Sequence, residues 1–369
     1  MNRPCLAAIT LDPMGGGVAA VSRLLWRVFQ DRWAEDARLV TLLNDQAALQ
    51  TLDSSTATRV RFGAHIATLQ VSQQVDWMLY THLSVARVQT FVPPPMRRPY
   101  AVFIHGIEAW RPLPPTTTDV LQGAALRVAN SAFTATRVAA MHPGIGPIVP
   151  CPLALSPEQL ARVTATDMNA ADIGAHAVLV VARMSSGERY KGHDELLEAW
   201  PAVLKTVPDA RLVFVGDGDD VVRLREKASA LGIGGSVMFP GFVSDADLIG
   251  FYRSAAAFAM PSRGEGFGLV YLEAMLHGVP CVAAVDDAAG EVVADGRTGF
   301  LIRQDDREAL TDRLIRLLTD EPLRRQMGAA GARHVEERFS YERFARHMLS
   351  LLDGVRAARM AALREDTAR

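Results

Sequence analysis

Two cations follow one apolar segment in the second half of this sequence. Arg183 ends the run 177–183, and Lys191 comes eight residues later, just before a helical pattern. Ligands of open α/β sheets bind where strands end and helices begin, so both side chains are candidates for binding a ligand. The guanidinium fork and the ammonium group together suit a diphosphate. An isolated pair of this kind would more often be two surface charges beside a turn.

A glycine-lined turn with two carboxylates forms a second candidate segment, EGFGLVYLE, which runs from Glu265 to Glu273. The glycines let backbone N–H groups approach an anion, and the N-terminus of the following helix adds positive partial charge. Helical side chains tilt toward the N-terminus of their helix, so Glu273 can reach hydroxyl groups held there. A carboxylate facing two vicinal hydroxyls suits the ribose of a nucleotide.

Several motifs occur in order between residues 177 and 303, namely ARM followed by KG, VGDGD, FPGFVSDADL, PSRGEGFGLVYLEAMLHGVPCVA and DGRTGFLI. Together they resemble the retaining family 4 glycosyltransferases, which are bacterial glycosyl transferases group 1 with the GT-B fold. The resemblance implies that Arg183 and Lys191 bind the donor pyrophosphate and that Glu273 binds the nucleotide ribose. It implies a catalytic position for Glu265 at the transferred sugar. It adds further donor-site residues: Gly216, the backbone around Val243 for the nucleobase, and Phe267, Gly268 and Leu269 for the pyrophosphate.

The sequence departs from the family pattern at two places. Ala182 stands where a glycine is usual before the arginine, and the common pair of glycines before a glutamate reads Ala289-Gly290-Glu291. Both changes exchange one small residue for another and leave the expected site intact.

The first half of the chain contributes three further candidates. Gly15, Gly16 and Gly17 follow a short apolar run, and the resemblance places such a loop beneath the donor diphosphate, although alone it would be a tight turn. His105 ends the segment AVFIH and matches the family's acceptor-domain histidine beside the donor sugar, so we expect it to be catalytic. His82 ends WMLYTH in a similar setting and is a candidate on the acceptor side.

The string Asp217-Gly218-Asp219 matches the Asp-x-Asp pattern with which metal-dependent glycosyltransferases bind a divalent ion. Carboxylate oxygens would suit Mg²⁺ or Mn²⁺. Here the string lies in a turn rich in Gly and Asp, which is ordinary turn composition. The resembling family neutralises its diphosphate with Arg, Lys and a helix end, so we predict neither a metal site nor a cofactor.

The elements that must position these residues form two series of alternating strands and helices. Strands are expected at 5–10, 37–43, 75–82, 100–106, 126–131 and 146–153, and again at 177–183, 210–219, 236–241, 256–262 and 280–285. Such alternation predicts an α/β protein with two doubly wound Rossmann-like domains facing across a cleft, as in GT-B proteins. We expect an acceptor-side domain over 1–156, a linker over 157–174 and a donor-binding domain over 175–339. The final helix, about 340–369, is expected to pack on the first domain.

Composition narrows the function classes. A chain of 369 residues fits two domains, and its net charge of −2 offers no basic field for nucleic acid. Residues 1–160 hold 13 Arg against 10 Asp and Glu, which permits weak contact with anionic inner-membrane lipid, although scattered arginines are more often solvated surface. The three cysteines form no C-x-x-C pair, and the sequence contains no signal-peptide pattern and no run of 18 apolar residues. We expect a cytoplasmic protein, peripheral at most on the inner face of the cytoplasmic membrane.

These observations predict a retaining hexosyltransferase that moves a hexose from GDP-mannose, UDP-glucose or a similar donor to a glycan or lipid-linked acceptor in bacterial cell-surface polysaccharide synthesis. A sugar-nucleotide epimerase or a hydrolase on the same fold is the alternative. A nicotinamide-dependent oxidoreductase is less favoured because the contiguous glycines of DPMGGGVAAVSRLL do not match G-x-G-x-x-G. A non-catalytic interaction protein is disfavoured because packing alone would not need two charged ligand edges.

Overall fold

The computed structural model describes residues 3–43, 55–163 and 170–367. Contacts divide the chain into two compact units: the first comprises Met1–Leu153 and Glu342–Arg369, and the second comprises Ala154–Tyr341. Part of the expected linker, residues 157–163, is helical and belongs to the second unit, whereas 164–169 lie outside the described residues.

The first unit is built on a six-stranded parallel sheet in the order β2-β1-β3-β4-β5-β6. Its strands are β1 Pro4–Ala8, β2 Arg38–Thr41, β3 Trp77–Tyr80, β4 Tyr100–Ile104, β5 Leu126–Ala129 and β6 Val149–Pro150. Its helices are α1 Gly16–Trp33, α2 Thr56–Val71, α3 Leu83–Ala86, α4 Pro115–Gln122 and α5 Ala132–Met141, and 3₁₀ turns occupy Pro13–Gly15, Ala34–Asp36, Arg87–Phe91 and Pro94–Met96.

The second unit carries another six-stranded parallel sheet, ordered β12-β11-β10-β7-β8-β9. Its strands are β7 Ala177–Val181, β8 Arg211–Val215, β9 Val237–Gly241, β10 Ala257–Met260, β11 Cys281–Ala284 and β12 Gly299–Ile302. Its helices are α6 Pro157–Val163, α7 His193–Thr206, α8 Val221–Ala230, α9 Asp245–Ser254, α10 Leu269–Leu276, α11 Ala289–Val292, α12 Arg307–Thr319 and α13 Glu321–Arg338, with 3₁₀ turns at Ser186–Lys191 and Gly234–Ser236. The last helix, α14 Tyr341–Thr367, begins at the boundary and continues in the first unit.

Each sheet is covered by helices on both faces, which explains why its strands consist mainly of apolar residues. Strands β1, β4 and β10 are buried at every position, as a parallel sheet between two layers of helices requires. The helices turn apolar stripes toward the sheet, so that Trp200 of α7 and Leu314 of α12 are fully buried in the second core. The prediction of two doubly wound α/β domains is confirmed.

Strand β12 is the element that the strand predictions did not include. It has only four residues, Gly299–Ile302, directly after a glycine-containing turn, and it pairs with β11 at the edge of the second sheet. A run this short shows no period that separates a strand from a loop.

None of the helices in the described part of the chain is long and apolar enough to cross a lipid bilayer.

Candidate active site

The expected ligand edge of the second unit lies at the topological switch point of its sheet. Strand β7 pairs with β8 on one side and with β10 on the other, so chain connections leave in opposite directions from β7 and β10. A crevice opens at the carboxyl ends of such strands, and ligands of doubly wound sheets bind there. Arg183 follows β7, and the turn with Glu265 follows β10.

A cluster of four charged side chains occupies this edge. Lys191 Nζ lies 3.7 Å from Glu265 Oε2 and 3.9 Å from Glu188 Oε2. Arg183 forms an ion pair with the other oxygen of Glu188. The structure therefore brings together Arg183, Lys191 and Glu265, and it adds Glu188, which the sequence analysis did not single out. The side chain of Lys191 is only 17% exposed and that of Arg183 is 55% exposed, so the two cations differ in their access to solvent.

An ion-pair network braces the segment that carries Lys191. Arg189 Nη2 lies 2.8 Å from Asp220 Oδ1. Arg223 Nη2 lies 2.6 Å from Asp220 Oδ2 and 2.7 Å from Asp194 Oδ2. Lys227 Nζ adds a contact of 2.6 Å to Asp194. Hydrogen bonding from Arg223 lowers the pKa of Asp194 to about 2. The network connects the 3₁₀ turn that ends at Lys191 to helices α7 and α8.

Gly216 is required where β8 approaches β7. Its φ is +132°, and a Cβ atom added there would lie 2.1 Å from the carbonyl oxygen of Ala182. Its backbone N–H donates to the carbonyl of Gly241 at 2.9 Å, which ties the carboxyl end of β8 to that of β9. Val243 follows β9, half-buried, so the structure places it in the next loop along the same sheet edge.

The turn with Glu265 is held by a buried carboxylate from the loop after β11. Asp287 accepts the backbone N–H of Glu265 through Oδ2 and that of Ala289 through Oδ1, both at 2.9 Å. Burial raises the pKa of Asp287 to about 7. The side chain of Phe267 in this turn is buried, and its ring centroid lies 5.9 Å from that of Phe339.

Helix α10 begins where the turn ends. Gly268 is its N-terminal capping residue in the left-handed region, with φ of +89°, and Leu269 is its first residue. The backbone N–H groups of the first turn of a helix lack intrahelical acceptors, so Gly268 and Leu269 open a positive helix end beside Glu265.

Glu273 lies one turn into α10 with both carboxylate oxygens in hydrogen bonds. The hydroxyl of Tyr252 donates to Oε2 and the amide of Gln159 donates to Oε1, each at 2.9 Å. Neither partner was among the predicted site residues, because they come from α9 and α6, elements distant in sequence.

The two aspartates of the DGD string connect the turn after β8 to the loop after β7. Asp219 accepts bonds from the backbone N–H of Ser186 at 2.9 Å and from its hydroxyl at 2.5 Å. The backbone carbonyl of Asp217 accepts from the N–H of Met184 at 3.0 Å. The Asp217 carboxylate also accepts the backbone N–H of Gly218 at 2.8 Å, a bond within the turn itself. Within residues 3–43, 55–163 and 170–367, no three His, Cys, Asp or Glu side chains are grouped so that they could hold a metal ion.

The first unit brings its two predicted histidines together. The rings of His82 and His105 lie 5.4 Å apart, at the carboxyl ends of β3 and β4. His105 Nε2 lies 2.7 Å from the carbonyl oxygen of Thr81, which can only accept, so Nε2 carries the proton. His82 Nδ1 accepts the backbone N–H of Ser84 at 3.0 Å, and burial lowers the pKa of His82 to about 4, so this ring is neutral at pH 7.

The glycine loop precedes the first long helix of the same unit. Gly15 closes a 3₁₀ turn, and helix α1 begins at Gly16. Among the described residues, no atom lies within 4 Å of the positions that Cβ atoms would take at Gly16 and Gly17, so the backbone there is open to an approaching group. The loop follows β1, which pairs with β2 and β3 at the switch point of the first sheet.

The chain resembles known proteins in sequence and in fold. Residues 174–334 match the family model Glycosyl transferases group 1. Over 170 residues the chain is 39% identical to the GDP-mannose-dependent monoacylated alpha-(1-6)-phosphatidylinositol monomannoside mannosyltransferase of Corynebacterium glutamicum, a match that covers 44% of each chain. The matched segment thus spans less than half the length of this relative.

Two solved structures resemble nearly the whole chain. Anabaena HepE, determined with UDP and glucose, superimposes with a TM-score of 0.75 at 19% identity over 96% of this chain and 100% of its own. The sucrose-phosphate synthase of Thermosynechococcus elongatus superimposes with a TM-score of 0.77 at 18% identity over 97% and 100%. At these identities the likeness establishes the fold, which is GT-B. Residues 174–334, which match the glycosyl transferases group 1 model, all lie in the second unit.

Proposed function

We propose that this chain, whose residues 174–334 match the glycosyl transferases group 1 family, is a retaining hexosyltransferase of family 4. Its donor would be a nucleoside-diphosphate hexose such as GDP-mannose or UDP-glucose. The observation that carries the proposal is the cluster of Arg183, Lys191 and Glu265 beside the N-terminus of α10. Two cations and a helix end fit a diphosphate, and the adjacent carboxylate fits the hydroxyls of a sugar attached to it.

The proposed chemistry is displacement of a nucleoside diphosphate by an acceptor hydroxyl. Arg183, Lys191 and the N-terminal end of α10 stabilise the charge that develops on the leaving diphosphate. Preorganised donors of this kind are worth about 3 to 4 kcal/mol each in favourable cases. In the proposed front-face route the diphosphate oxygen assists the incoming hydroxyl, so the configuration is retained. Glu265 and His105 position sugar hydroxyls, and neither attacks the anomeric carbon.

The proposed acceptor is a glycan or a lipid-linked saccharide used in cell-surface polysaccharide synthesis. The name of the Corynebacterium relative specifies a phosphatidylinositol mannoside, which supports an acceptor at a lipid surface. The excess of Arg over Asp and Glu in residues 1–160 supports weak contact with anionic lipid on the inner face of the cytoplasmic membrane. We propose that the reaction needs no metal, because protein cations neutralise the diphosphate.

Nucleotide binding by two variants tests the donor site. We expect Lys191→Ala and Glu273→Ala each to weaken the binding of UDP or GDP by about ten- to a hundredfold, the effect of losing a charge-assisted hydrogen bond. The measurement is isothermal titration calorimetry, with thermal unfolding to verify the fold. Lys205→Ala is the matched control, since Lys205 is exposed on the distal turn of α7. Parent-like affinity in both variants would remove the basis of the assignment.

Product analysis separates transfer from the alternatives. Nucleotide-sugar donors are incubated with and without saccharide acceptors, and each reaction is repeated in EDTA. We expect nucleoside diphosphate and a lengthened acceptor with the donor's anomeric configuration, at unchanged rates in chelator. An epimerised sugar nucleotide, or donor cleavage at full rate without acceptor, would instead identify an epimerase or a hydrolase. Loss of turnover in EDTA that Mg²⁺ or Mn²⁺ restores would contradict the metal-independent route.

A further inference from the structure

Glu273 receives hydrogen bonds from two elements outside its own helix. Tyr252 lies on α9 and Gln159 on α6, and each donates at 2.9 Å to a different oxygen of the carboxylate. An unsupported glutamate on a helix has three rotatable side-chain torsions. Donors on both oxygens restrict this carboxylate to one orientation.

The donor on α9 is itself rigid. Tyr252 is 2% exposed, and its ring stacks on that of His277 at a centroid distance of 5.6 Å and an interplanar angle of 12°. Phe258 contacts the same ring from β10, with a centroid distance of 6.2 Å. Burial raises the pKa of Tyr252, so its hydroxyl keeps its proton and remains a donor at neutral pH.

The donor on α6 has a fixed amide orientation. Gln159 and Ser156 form a reciprocal cap, in which the N–H of Ser156 donates to Gln159 Oε1 at 3.0 Å and the N–H of Gln159 donates to Ser156 Oγ at 3.2 Å. Because Oε1 is the acceptor in this cap, Nε2 is the atom that faces Glu273. The beginning of α6 thus sets the direction of the bond to Glu273.

We propose that Tyr252 and Gln159 are positioning residues that hold the Glu273 carboxylate for the two ribose hydroxyls of the nucleotide. This inference rests on the proposed function, in which Glu273 binds the ribose. A carboxylate oxygen has more than one lone pair, so an oxygen that accepts from Tyr252 or Gln159 can also accept from a hydroxyl. Both residues act through Glu273 and neither has to touch the nucleotide.

A positioning role differs from simple packing in a measurable way. If Tyr252 and Gln159 act through Glu273, their removal affects only ligands that have ribose hydroxyls. If they only stabilise the second unit, their removal affects every nucleotide alike. A 2′,3′-dideoxy nucleotide keeps the base and the diphosphate but lacks both hydroxyls, so it separates the two roles.

The test is titration calorimetry of the full chain with UDP or GDP, whichever the parent binds, and with its 2′,3′-dideoxy analogue. We expect Tyr252→Phe and Gln159→Ala each to bind the ribonucleotide about five- to tenfold more weakly, as expected for one lost hydrogen bond. Their affinities for the dideoxy nucleotide should stay within about twofold of the parent. Tyr100→Phe and Gln74→Ala are matched controls, since their side chains bond Val120 and Arg38 in the first unit. Both controls should bind both ligands as the parent does.

Other results overturn the inference. Parent-like ribonucleotide affinity in both variants, or equal losses for both ligands, would show that neither residue acts through Glu273. Gln159 is half-buried at the start of a helix, so Gln159→Ala decides the question even if Tyr252→Phe unfolds. A weakened Glu273→Ala beside unaffected Tyr252→Phe and Gln159→Ala would refute this inference alone. A parent that binds neither nucleotide would refute the proposed function, and the inference with it.

Discussion

At the scale of single residues, Glu188 carries a negative charge at the site that we propose binds an anionic diphosphate. It lies between Arg183 and Lys191 and pairs with both. A diphosphate bound to these cations would compete with Glu188, because like charges at one site repel. We therefore expect Glu188→Gln to bind nucleoside diphosphates about three- to tenfold more tightly than the parent, a change of about 1 kcal/mol. Titration at two salt concentrations measures it, and the gain should shrink at high salt.

A suitable control for Glu188→Gln is Glu226→Gln, in which an exposed glutamate of α8 loses the same charge. If Glu188→Gln and Glu226→Gln bound nucleotide with equal affinity, the gain would come from the change in net charge and not from the position of Glu188. Weaker binding in Glu188→Gln alone would show that Glu188 orients the cations and does not compete with the ligand.

Sequence patterns indicated three members of the charged cluster in the second unit, but not Glu188 and not the residues that hold the cluster in place. Arg183, Lys191 and Glu265 could be placed together because each follows a strand that ends at the same sheet edge. Asp287 and Tyr252 could not be assigned, since their partners depend on the packing of a loop and a helix whose register no local pattern specifies. Hydrogen bonds between distant elements leave no period in the sequence.

At the scale of elements, the contact between β7 and β8 depends on a residue without a side chain. We expect Gly216→Ala to lower the free energy of unfolding by at least about 2 kcal/mol, since its φ of +132° and the carbonyl of Ala182 at 2.1 Å both exclude a methyl group. Denaturant unfolding followed by circular dichroism measures the loss. Gly235→Ala is the matched control, because nothing lies within 4 Å of its added Cβ. Equal stability in the two variants would show that β8 can shift to admit a side chain.

The network around Asp194 makes a pH-dependent contribution to stability. Its pKa is lowered to about 2 in the folded chain, against about 4 for an ordinary aspartate. The unfolded chain therefore binds the proton more tightly, and the contribution is present above about pH 4 and is lost as the pH falls through 2. We expect Asp194→Asn to cost up to about 2 kcal/mol at pH 7 and progressively less between pH 4 and 2.

Denaturant midpoints of the parent and of Asp194→Asn, measured across this range, test the sign. If the difference between the two midpoints stayed constant with pH, the loss of stability in Asp194→Asn would come from packing and not from charge. Asp312→Asn is the control on α12, since Asp312 is a solvent-exposed member of a surface pair with Arg313.

Regular elements were the most predictable level. Strands β7 and β10 lie within the predicted ranges 177–183 and 256–262, because short continuous apolar runs are typical of strands buried on both faces of a sheet. Strand β12 was not predicted, since four residues at a sheet edge gain their order from pairing with β11 and not from their own pattern.

At the scale of the whole molecule, the proposed roles divide between the two units. His105 belongs to the first unit, whereas Arg183, Lys191 and Glu273 belong to the second. We expect His105→Ala to lower turnover about a hundredfold, the usual effect of misplacing a reacting group, while nucleoside-diphosphate affinity stays nearly unchanged. Steady-state kinetics measures the turnover of this variant, and calorimetry measures its affinity for the nucleoside diphosphate. Parent-like turnover, or a loss of nucleotide affinity as large as in Glu273→Ala, would refute this division. His65→Ala, exposed on α2, is the control.

The first unit is discontinuous along the chain, and this affects how the protein folds while a ribosome synthesises it. Residues 342–367 of α14 belong to a unit whose other residues precede Leu153, and Phe344, Met348 and Leu352 of this helix are buried. During synthesis all of Ala154–Tyr341 is translated between these two pieces, which takes on the order of 10 to 40 seconds at ordinary elongation rates. The nascent first unit must wait through this interval with the apolar surface for its last helix uncovered. The second unit, made without interruption, can fold while still attached to the ribosome. A prematurely terminated polypeptide ending near residue 341 would contain all of one unit and an incomplete other, and we expect chaperones to retain it.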